Sequence, residues 1–309
     1  MTLKAVVLLG PTAVGKTALS LRLAQYFGGT VISGDSMQIY RHLNIGTAKI
    51  LPQQQQGIPH RLIDICDVDQ PYTVRDFQIA AQQLIEQLNA RQQLPLIVGG
   101  TGFYLKALID NLPLGDDPQQ KNAGSLRTQL RKQYQQPQGP QRLWHQLAQL
   151  DAVAAAKIPP TNQRRLLRAL EVILSSGHKF SEQPQTPSST RFLVLGLTTP
   201  RPLLYQRINQ RVDQMVQAGL LQEAQWLYER RAQAPQACQA IGYKEWFPYF
   251  EHQSSQAQAV ALIKRNSRRF AKRQLTYFRH QLTVHWYDLL TQPQQEQRLW
   301  AVVEKFWRH

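Results

Sequence analysis

Eight consecutive residues, Gly10-Pro11-Thr12-Ala13-Val14-Gly15-Lys16-Thr17, constrain the fold more than any other feature of this chain, because they satisfy the spacing G-x-x-x-x-G-K-[ST] in full. Such a loop works only between particular neighbours. On its N-terminal side Ala5 to Leu9 is a continuous apolar run closed by Gly10, as expected of a strand buried on both faces of a parallel sheet. On its C-terminal side Lys16 to Phe27 reads as a helix. In that setting the glycines let backbone N–H groups turn inward around phosphate oxygens, and the helix N-terminus adds positive potential. Lys16 neutralises charge, and the Thr17 hydroxyl can bind Mg²⁺. The expectation is a phosphate-binding loop, which leaves the reaction open.

Further strands are expected at Thr30 to Ser33, Leu62 to Ile65, Leu96 to Val98, Phe192 to Leu197 and Thr283 to Trp286, with helical segments between them. Such alternation implies a doubly wound α/β fold, a P-loop NTPase-like parallel sheet flanked by helices. Between about Asp110 and Arg191 the strand pattern stops, leaving helices with polar, proline-rich joints at Gln135 to Pro140 and Gln183 to Ser189. Because both flanks supply strands, residues 111–190 are expected to be an inserted all-helical domain within a catalytic core of 1–110 and 191–309. The C-terminal third is expected to hold long helices at Leu203 to Arg231, Gln256 to Arg279 and Gln294 to Trp307.

Lys and Arg total 36 against 20 Asp and Glu, a formal net charge of +16 that favours a polyanionic partner. No apolar run approaches the roughly 20 residues of a membrane-spanning helix, so no membrane partner is expected. The first residues, MTLKAVVLLG, lack a small-residue cleavage site and read as a core strand, so a cytoplasmic location is expected. Cys66 and Cys238 are too few for a disulfide framework and too isolated for a zinc site.

Most loops of this kind serve phosphoryl transfer, which calls for an apolar strand ending in a Mg²⁺-holding Asp. Here Leu96-Ile97-Val98 runs instead into Gly99-Gly100-Thr101-Gly102, although Asp64 in Leu62-Ile63-Asp64 could supply such a group. Asp35 follows the strand Thr30 to Ser33 and is expected at the carboxyl edge of the sheet, where ligands bind in this fold class.

The ordered segments GPTAVGKT (10–17), DSMQIY (35–40), IGTAK (45–49), PHRLIDI (59–65), GGTGFY (99–104), RALEV (168–172), QAIGYKE (239–245) and RNSRRFAKRQLTYFR (265–279) resemble the tRNA dimethylallyltransferase family along nearly the whole chain. The resemblance implies that the loop holds the diphosphate of dimethylallyl diphosphate as a leaving group. The acceptor would be the N6 amine of adenosine-37, 3′ of the anticodon, in tRNA. Diphosphate binding falls to Gly10, Pro11, Thr12, Ala13, Val14, Gly15, Lys16 and Thr17, with Arg165 and Arg211 as an arginine lid and Mg²⁺ on Thr17.

An exocyclic amine is a poor nucleophile, so a base should take its proton, and Asp35 is the candidate. By resemblance Thr101 lies at the catalytic centre. Asp35, Ser36, Met37, Gln38 and Thr101 would meet the tRNA, as would Gln239, Ala240, Ile241, Gly242, Tyr243 and Lys244. In the insertion, Asn162, Gln163, Arg164 and Arg165 would grip the anticodon stem-loop. The protein is expected to act as a monomer.

Plainer readings stand beside these. Asp35 could cap a helix beginning near Ser36, and Thr101 could cap a helix from Gly102 to Ile109. Gly99, Gly100 and Gly102 could form a strand-to-helix turn, Phe103 and Tyr104 read as core, and His60 reads as structural. Wound as a helix, residues 256–279 put Arg265, Arg268, Arg269, Lys272, Arg273 and Arg279 on one arc, opposite Ile263, Phe270, Leu275, Tyr277 and Phe278. With so few acids nearby, that face suits phosphate.

The chain departs from the family pattern at Ile158 to Gln163 and at Asp151-Ala152, which bears on tRNA contacts in the insertion. Two rival functions remain at this level: prenylation of a free adenine nucleotide, and a P-loop kinase or non-catalytic RNA-binding protein.

Overall fold

Strand β1 (Leu3–Leu9) is buried from Ala5 onward, so both faces of its apolar run are covered. In the computed structural model, which describes residues 2–114, 123–182 and 186–308, it leads through the phosphate loop into α1 (Lys16–Phe27). There follow β2 (Thr30–Ser33), β3 (His60–Arg61), α2 (Val74–Ala90), β4 (Pro95–Gly99) and α3 (Gly102–Ile109). Four helices come next: α4 (Ala123–Tyr134), α5 (Gly139–Leu150), α6 (Ala152–Lys157) and α7 (Gln163–Ser176). The chain then returns to strand with β5 (Thr190–Leu197), followed by α8 (Arg201–Gln217), α9 (Leu220–Glu229), the single turn α10 (Phe247–Phe250), α11 (Gln256–Gln281), β6 (His285–Tyr287) and α12 (Gln295–Arg308).

The strands form one parallel sheet in the order β3-β2-β4-β1-β5-β6. Central β1 lies between β4 and β5, with Val7 opposite both Ile97 and Val194. Successive side chains point to opposite faces of a strand. Ala5, Val7 and Leu9 therefore enter one apolar layer with Phe77, Ile85 and Leu105, while Val6 and Leu8 enter the other with Leu19, Leu23 and Ile208. This parallel arrangement sends all strand ends toward the same edge, where the phosphate loop lies.

Two expectations fail for identifiable reasons. The strand expected at Leu62 to Ile65 ends earlier, pairing only His60 with Val31 and Arg61 with Ile32, because Leu62 and Asp64 adopt left-handed backbone at φ 59° and 54°. The helix expected from Leu203 to Arg231 is two helices, separated at Gly219, whose φ of 103° cannot continue a right-handed turn. The last strand also sits later than expected, at His285–Tyr287.

By its contacts the chain divides into Met1–Asn111 with Pro187–His309, and Leu112–Thr186. The second unit, all-helical among its described residues, packs Leu130, Leu143, Leu147, Ile158, Leu166 and Leu170 into its own core. Asp151 ties this unit together by accepting from Ala154 N at 2.9 Å and from Ser181 Oγ at 2.7 Å. Burial pushes the Asp151 carboxyl up, but those donors and nearby Lys179 bring it below its ordinary value. Residues 183–185 of the expected joint lie outside the described residues. Among the described residues no helix is long and apolar enough to cross a membrane.

Candidate active site

The phosphate loop owes its shape to three left-handed residues, Gly10 (φ 154°), Ala13 (φ 65°) and Gly15 (φ 103°). Gly10 also has no room for a side chain, since a Cβ there would lie 2.7 Å from Leu197 O. Helix α1 begins after Gly15 with no side-chain cap and no acid in its first turn. Its first amides are thus left for an anion. Within the loop, Lys16 Nζ donates to Gly10 O at 2.9 Å and to Pro11 O at 2.7 Å. Thr17 is exposed on the first turn of α1.

A second loop comes alongside the acidic turn after β2. Thr101 precedes α3, yet its hydroxyl makes no cap bond to that helix. Its Oγ1 instead accepts from Ser36 N at 3.0 Å, and Thr101 N donates to Gly34 O at 3.4 Å. The plain cap reading of Thr101 is therefore replaced by a cross-link between the two loops. Gly99 permits it, because a Cβ there would collide with Gly34 O.

No helix begins at Ser36: residues 36–39 form a turn in which Asp35 Oδ1 accepts from Met37 N at 2.9 Å. That bond leaves Oδ2 without a protein partner among the described residues. Ser36 and Met37 are half-buried, and Gln38 is held at both ends of its amide, accepting from Ser33 Oγ at 3.1 Å and donating to Thr47 O at 3.2 Å.

The charges converge on the same place. Burial lowers the Lys16 pKa to about 7, Arg211 adds to the lowering, and Asp35 opposes it. Arg211, reaching in from α8, is likewise lowered by burial and raised by Asp35. One carboxylate thus faces two cations that lack a full counter-charge, an arrangement suited to receiving a polyanion beside a proton acceptor. Arg207, one helical turn before Arg211, donates from Nε to Ala13 O at 2.9 Å and braces the loop, a role the sequence did not reveal.

Sequence reading also missed Gln274, which is buried on α11. Its Nε2 donates to Gly100 O at 2.8 Å, and its Oε1 accepts from Thr12 N at 3.2 Å. One amide therefore clamps the phosphate loop to the Gly99–Gly102 loop. The only sequence signal was its place in the segment RNSRRFAKRQLTYFR. Gln274→Leu keeps the volume but leaves a buried carbonyl unpaired, which should destabilise the fold by about 1–3 kcal/mol. Chemical denaturation measures that loss, and a parent-like midpoint would rule out the clamp.

The remaining expected residues divide. Among residues 239–244, Gln239 and Lys244 are exposed and Ile241 is half-buried, whereas Ala240, Gly242 and Tyr243 are buried. The exposed side chains that the segment offers to a partner are therefore those of Gln239 and Lys244. Glu245 of the same segment accepts from Gly242 N at 2.9 Å and from Asn266 at 2.8 Å.

On the helical unit, Asn162, Gln163, Arg164 and Arg165 lie exposed at the start of α7, and Asn162 Oδ1 caps the helix by accepting from Arg165 N. Arg168 in the same unit is engaged by Glu171 and Leu114 O. Along α11, Arg265, Arg269, Lys272, Arg273 and Arg279 are exposed, while Arg268 is half-buried against Asn209. Phe270 is half-buried with Arg273 5.8 Å from its ring centroid, off the fully buried stripe of Ala259, Ile263, Ala271, Gln274 and Phe278. Arg269, Lys272, Arg273 and Tyr277 border an open groove of about 550 Å³. Phe103, expected in the core, is 48% exposed, and Tyr104 is buried. Asp64 accepts from buried Lys49, so it serves a structural ion pair.

A parallel α/β sheet with a glycine-rich loop after β1 and a carboxylate turn after β2, cross-linked to a second glycine-rich loop after β4, defines a P-loop NTPase-like fold. The IPP transferase family matches residues 38–281, and the chain belongs to that family. It is 53% identical over 300 residues to the tRNA dimethylallyltransferase of Limosilactobacillus fermentum, covering 97% of each chain. With the tRNA dimethylallyltransferase of Levilactobacillus brevis it shares 54% identity over 292 residues, covering 94% of each.

Among solved structures it is similar to the tRNA isopentenylpyrophosphate transferase of Bacillus halodurans, with a TM-score of 0.71 at 42% identity, covering 97% of this chain and 96% of that one. It is also similar to a eukaryotic dimethylallyltransferase acting on tRNA, with a TM-score of 0.82 at 30% identity, covering 98% of this chain and 79% of that one.

Proposed function

We propose that this enzyme transfers the dimethylallyl group of dimethylallyl diphosphate to the exocyclic N6 amine of the adenosine 3′ of the anticodon in tRNA. The single observation that carries this reading is the placement of Asp35. Through the Ser36–Thr101 hydrogen bond it stands at the loop after β4, and through its charge it is coupled to Lys16 and Arg211 at the phosphate loop. The proton acceptor and the leaving-group site are thus neighbours, as an amine-to-allyl transfer requires. The names of the relatives, which cover nearly the whole chain, support the coarser part of this reading, transfer of a dimethylallyl group to tRNA.

In the proposed step the N6 nitrogen forms a bond to the allylic carbon, the carbon–oxygen bond to diphosphate breaks, and an N6 proton passes to Asp35. Lys16, Arg211 and the amides at the start of α1 stabilise the charge that grows on the departing diphosphate. Mg²⁺ fits the donor set, since the exposed Thr17 hydroxyl offers one hard oxygen and the diphosphate would offer others. When bound, the ion would neutralise the leaving group.

Thr101 and Gln38 line the acceptor side, and a target adenosine from a stacked loop must turn out of its stack to enter. The cationic face of α11 and the exposed residues Asn162 to Arg165 are the proposed holds on the anticodon stem-loop, each cation acting through phosphate. The enzyme is proposed to work as a monomer in the cytoplasm.

The test is transfer of label from dimethylallyl diphosphate, with Mg²⁺, into unmodified tRNA beside parallel reactions containing AMP or ATP. Label in tRNA alone is expected. Label in AMP would move the acceptor to a free nucleotide, and ATP turnover without label transfer would leave only the fold and family assignment.

A further inference from the structure

The loop after the acceptor turn is held by a carboxylate from far along the chain. Glu223, in the first turn of α9, accepts from Asn44 N and Ile45 N through Oε2, each at 2.9 Å. Its Oε1 accepts from Gly46 N at 2.9 Å and from the Tyr243 hydroxyl at 2.6 Å. Three successive amides converging on one point form a concave anion site of the kind that elsewhere receives phosphate. Here the chain fills it with its own side chain.

The surroundings are shaped for that bond. A Cβ on Gly46 would stand 2.5 Å from the Tyr243 ring, so only glycine lets the phenol reach Glu223. Gly242, at φ 102°, turns the preceding segment so that a Cβ there would lie 3.6 Å from Gly46 Cα. Tyr243 is fully buried, and burial together with Glu223 raises its pKa well above the ordinary value, so it remains a donor.

The same loop carries Thr47, whose carbonyl accepts from Gln38 Nε2 and whose hydroxyl donates to Leu43 O at 2.6 Å. Lys49 ties the loop down again, donating to Tyr40 O at 2.6 Å and to Asn44 Oδ1 at 3.0 Å. An unbroken series of hydrogen bonds and backbone therefore runs from Glu223, through residues 44–47, to the amide of Gln38.

We infer that Glu223 is a positioning residue for acceptor recognition, fixing the loop of residues 44–47 and through it the orientation of the Gln38 amide. This rests on the proposed role of Gln38 at the tRNA. A neutral Glu223→Gln side chain would turn an NH₂ group toward donors and lose at least two of the four bonds. The expected result is a fall of about 10-fold in kcat/KM for tRNA, the equivalent of 1.4 kcal/mol, with KM for dimethylallyl diphosphate unchanged.

The readout that a merely stabilising carboxylate would not move is coupling to Gln38. Gln38→Ala should itself lower kcat/KM for tRNA, and adding Glu223→Gln to it should cost nothing more. Tyr243→Phe, which removes the phenol's bond to Glu223 at nearly constant volume, gives a smaller loss with the same coupling and serves if Glu223→Gln does not fold. An effective Gln38→Ala whose loss simply adds to that of Glu223→Gln or of Tyr243→Phe overturns the inference alone. A silent Gln38→Ala removes the proposed role of Gln38 and the inference with it.

Discussion

Replacing Asp35 with asparagine is expected to slow prenyl transfer by about 10²–10⁴-fold, the usual contribution of a positioned base, while tRNA affinity stays close to that of the parent. The substitution is chosen for its geometry. An asparagine side chain keeps an oxygen for Met37 N, the bond that shapes the turn, and exchanges the other oxygen for an NH₂ that cannot accept a proton. Asp35→Ala loses both features and should be no faster. Single-turnover transfer of labelled donor, with tRNA binding measured separately, distinguishes lost chemistry from lost binding. Near-parent turnover in Asp35→Asn would eliminate the base assignment.

A second effect follows from the same carboxylate. Asp35 raises the Lys16 pKa against the larger lowering by burial and the further lowering by Arg211. Its removal should therefore depress Lys16 further.

Lys16→Met should lower kcat/KM for the donor by about 10²–10³-fold, the scale seen when one preorganised donor to a developing anion is removed. Lys16 rests on the carbonyls of Gly10 and Pro11, so a bound diphosphate must draw the ammonium away from its own loop. With a pKa of about 7, the free enzyme loses this charge as pH rises through neutrality. Donor kcat/KM reports the free enzyme and should decline above about pH 7.

Once diphosphate is bound, its negative charge favours the protonated amine, so the corresponding limb in kcat should move to higher pH. Lys16→Met should lack the Lys16 limb altogether. A parent whose donor kcat/KM stays flat from neutral to alkaline pH would show that Lys16 keeps its proton and would remove this account of the loop. Arg211→Gln offers a cross-check: it removes a cation that lowers Lys16, and should shift the limb upward even as it weakens donor binding.

Much of the catalytic core was legible because its signals are local. The glycines at 10 and 15, the apolar run before them and the helix after them depend on residues within a few positions of one another, and α1 occupies Lys16–Phe27 as its periodicity indicates. The place of Asp35 could be read the same way, since a residue just beyond a parallel strand lies at the ligand edge of the sheet. The helical insertion was visible because strand periodicity stops and then resumes, a pattern that survives any detail of packing.

What escaped the sequence depends on partners far along the chain. Gln274 could not be distinguished from its neighbours on a basic helix until folding set it between Thr12 and Gly100, 262 and 174 residues away. Segment 239–245 reads as one motif, yet burial splits it into exposed Gln239 and Lys244 and a buried brace at Tyr243 and Glu245. Leu62 is apolar enough for a strand, and its left-handed backbone belongs to the loop geometry around the pair formed by buried Lys49 and exposed Asp64.

A parallel α/β core, its phosphate loop and the carboxylate just beyond β2 could all be derived from the order of residues, because backbone sterics and hydrophobic periodicity act over a few positions. Which carbonyls, amides and charges meet around that loop was settled by packing in three dimensions, because a hydrogen bond or a Coulombic shift depends on distance in space and is indifferent to separation along the chain.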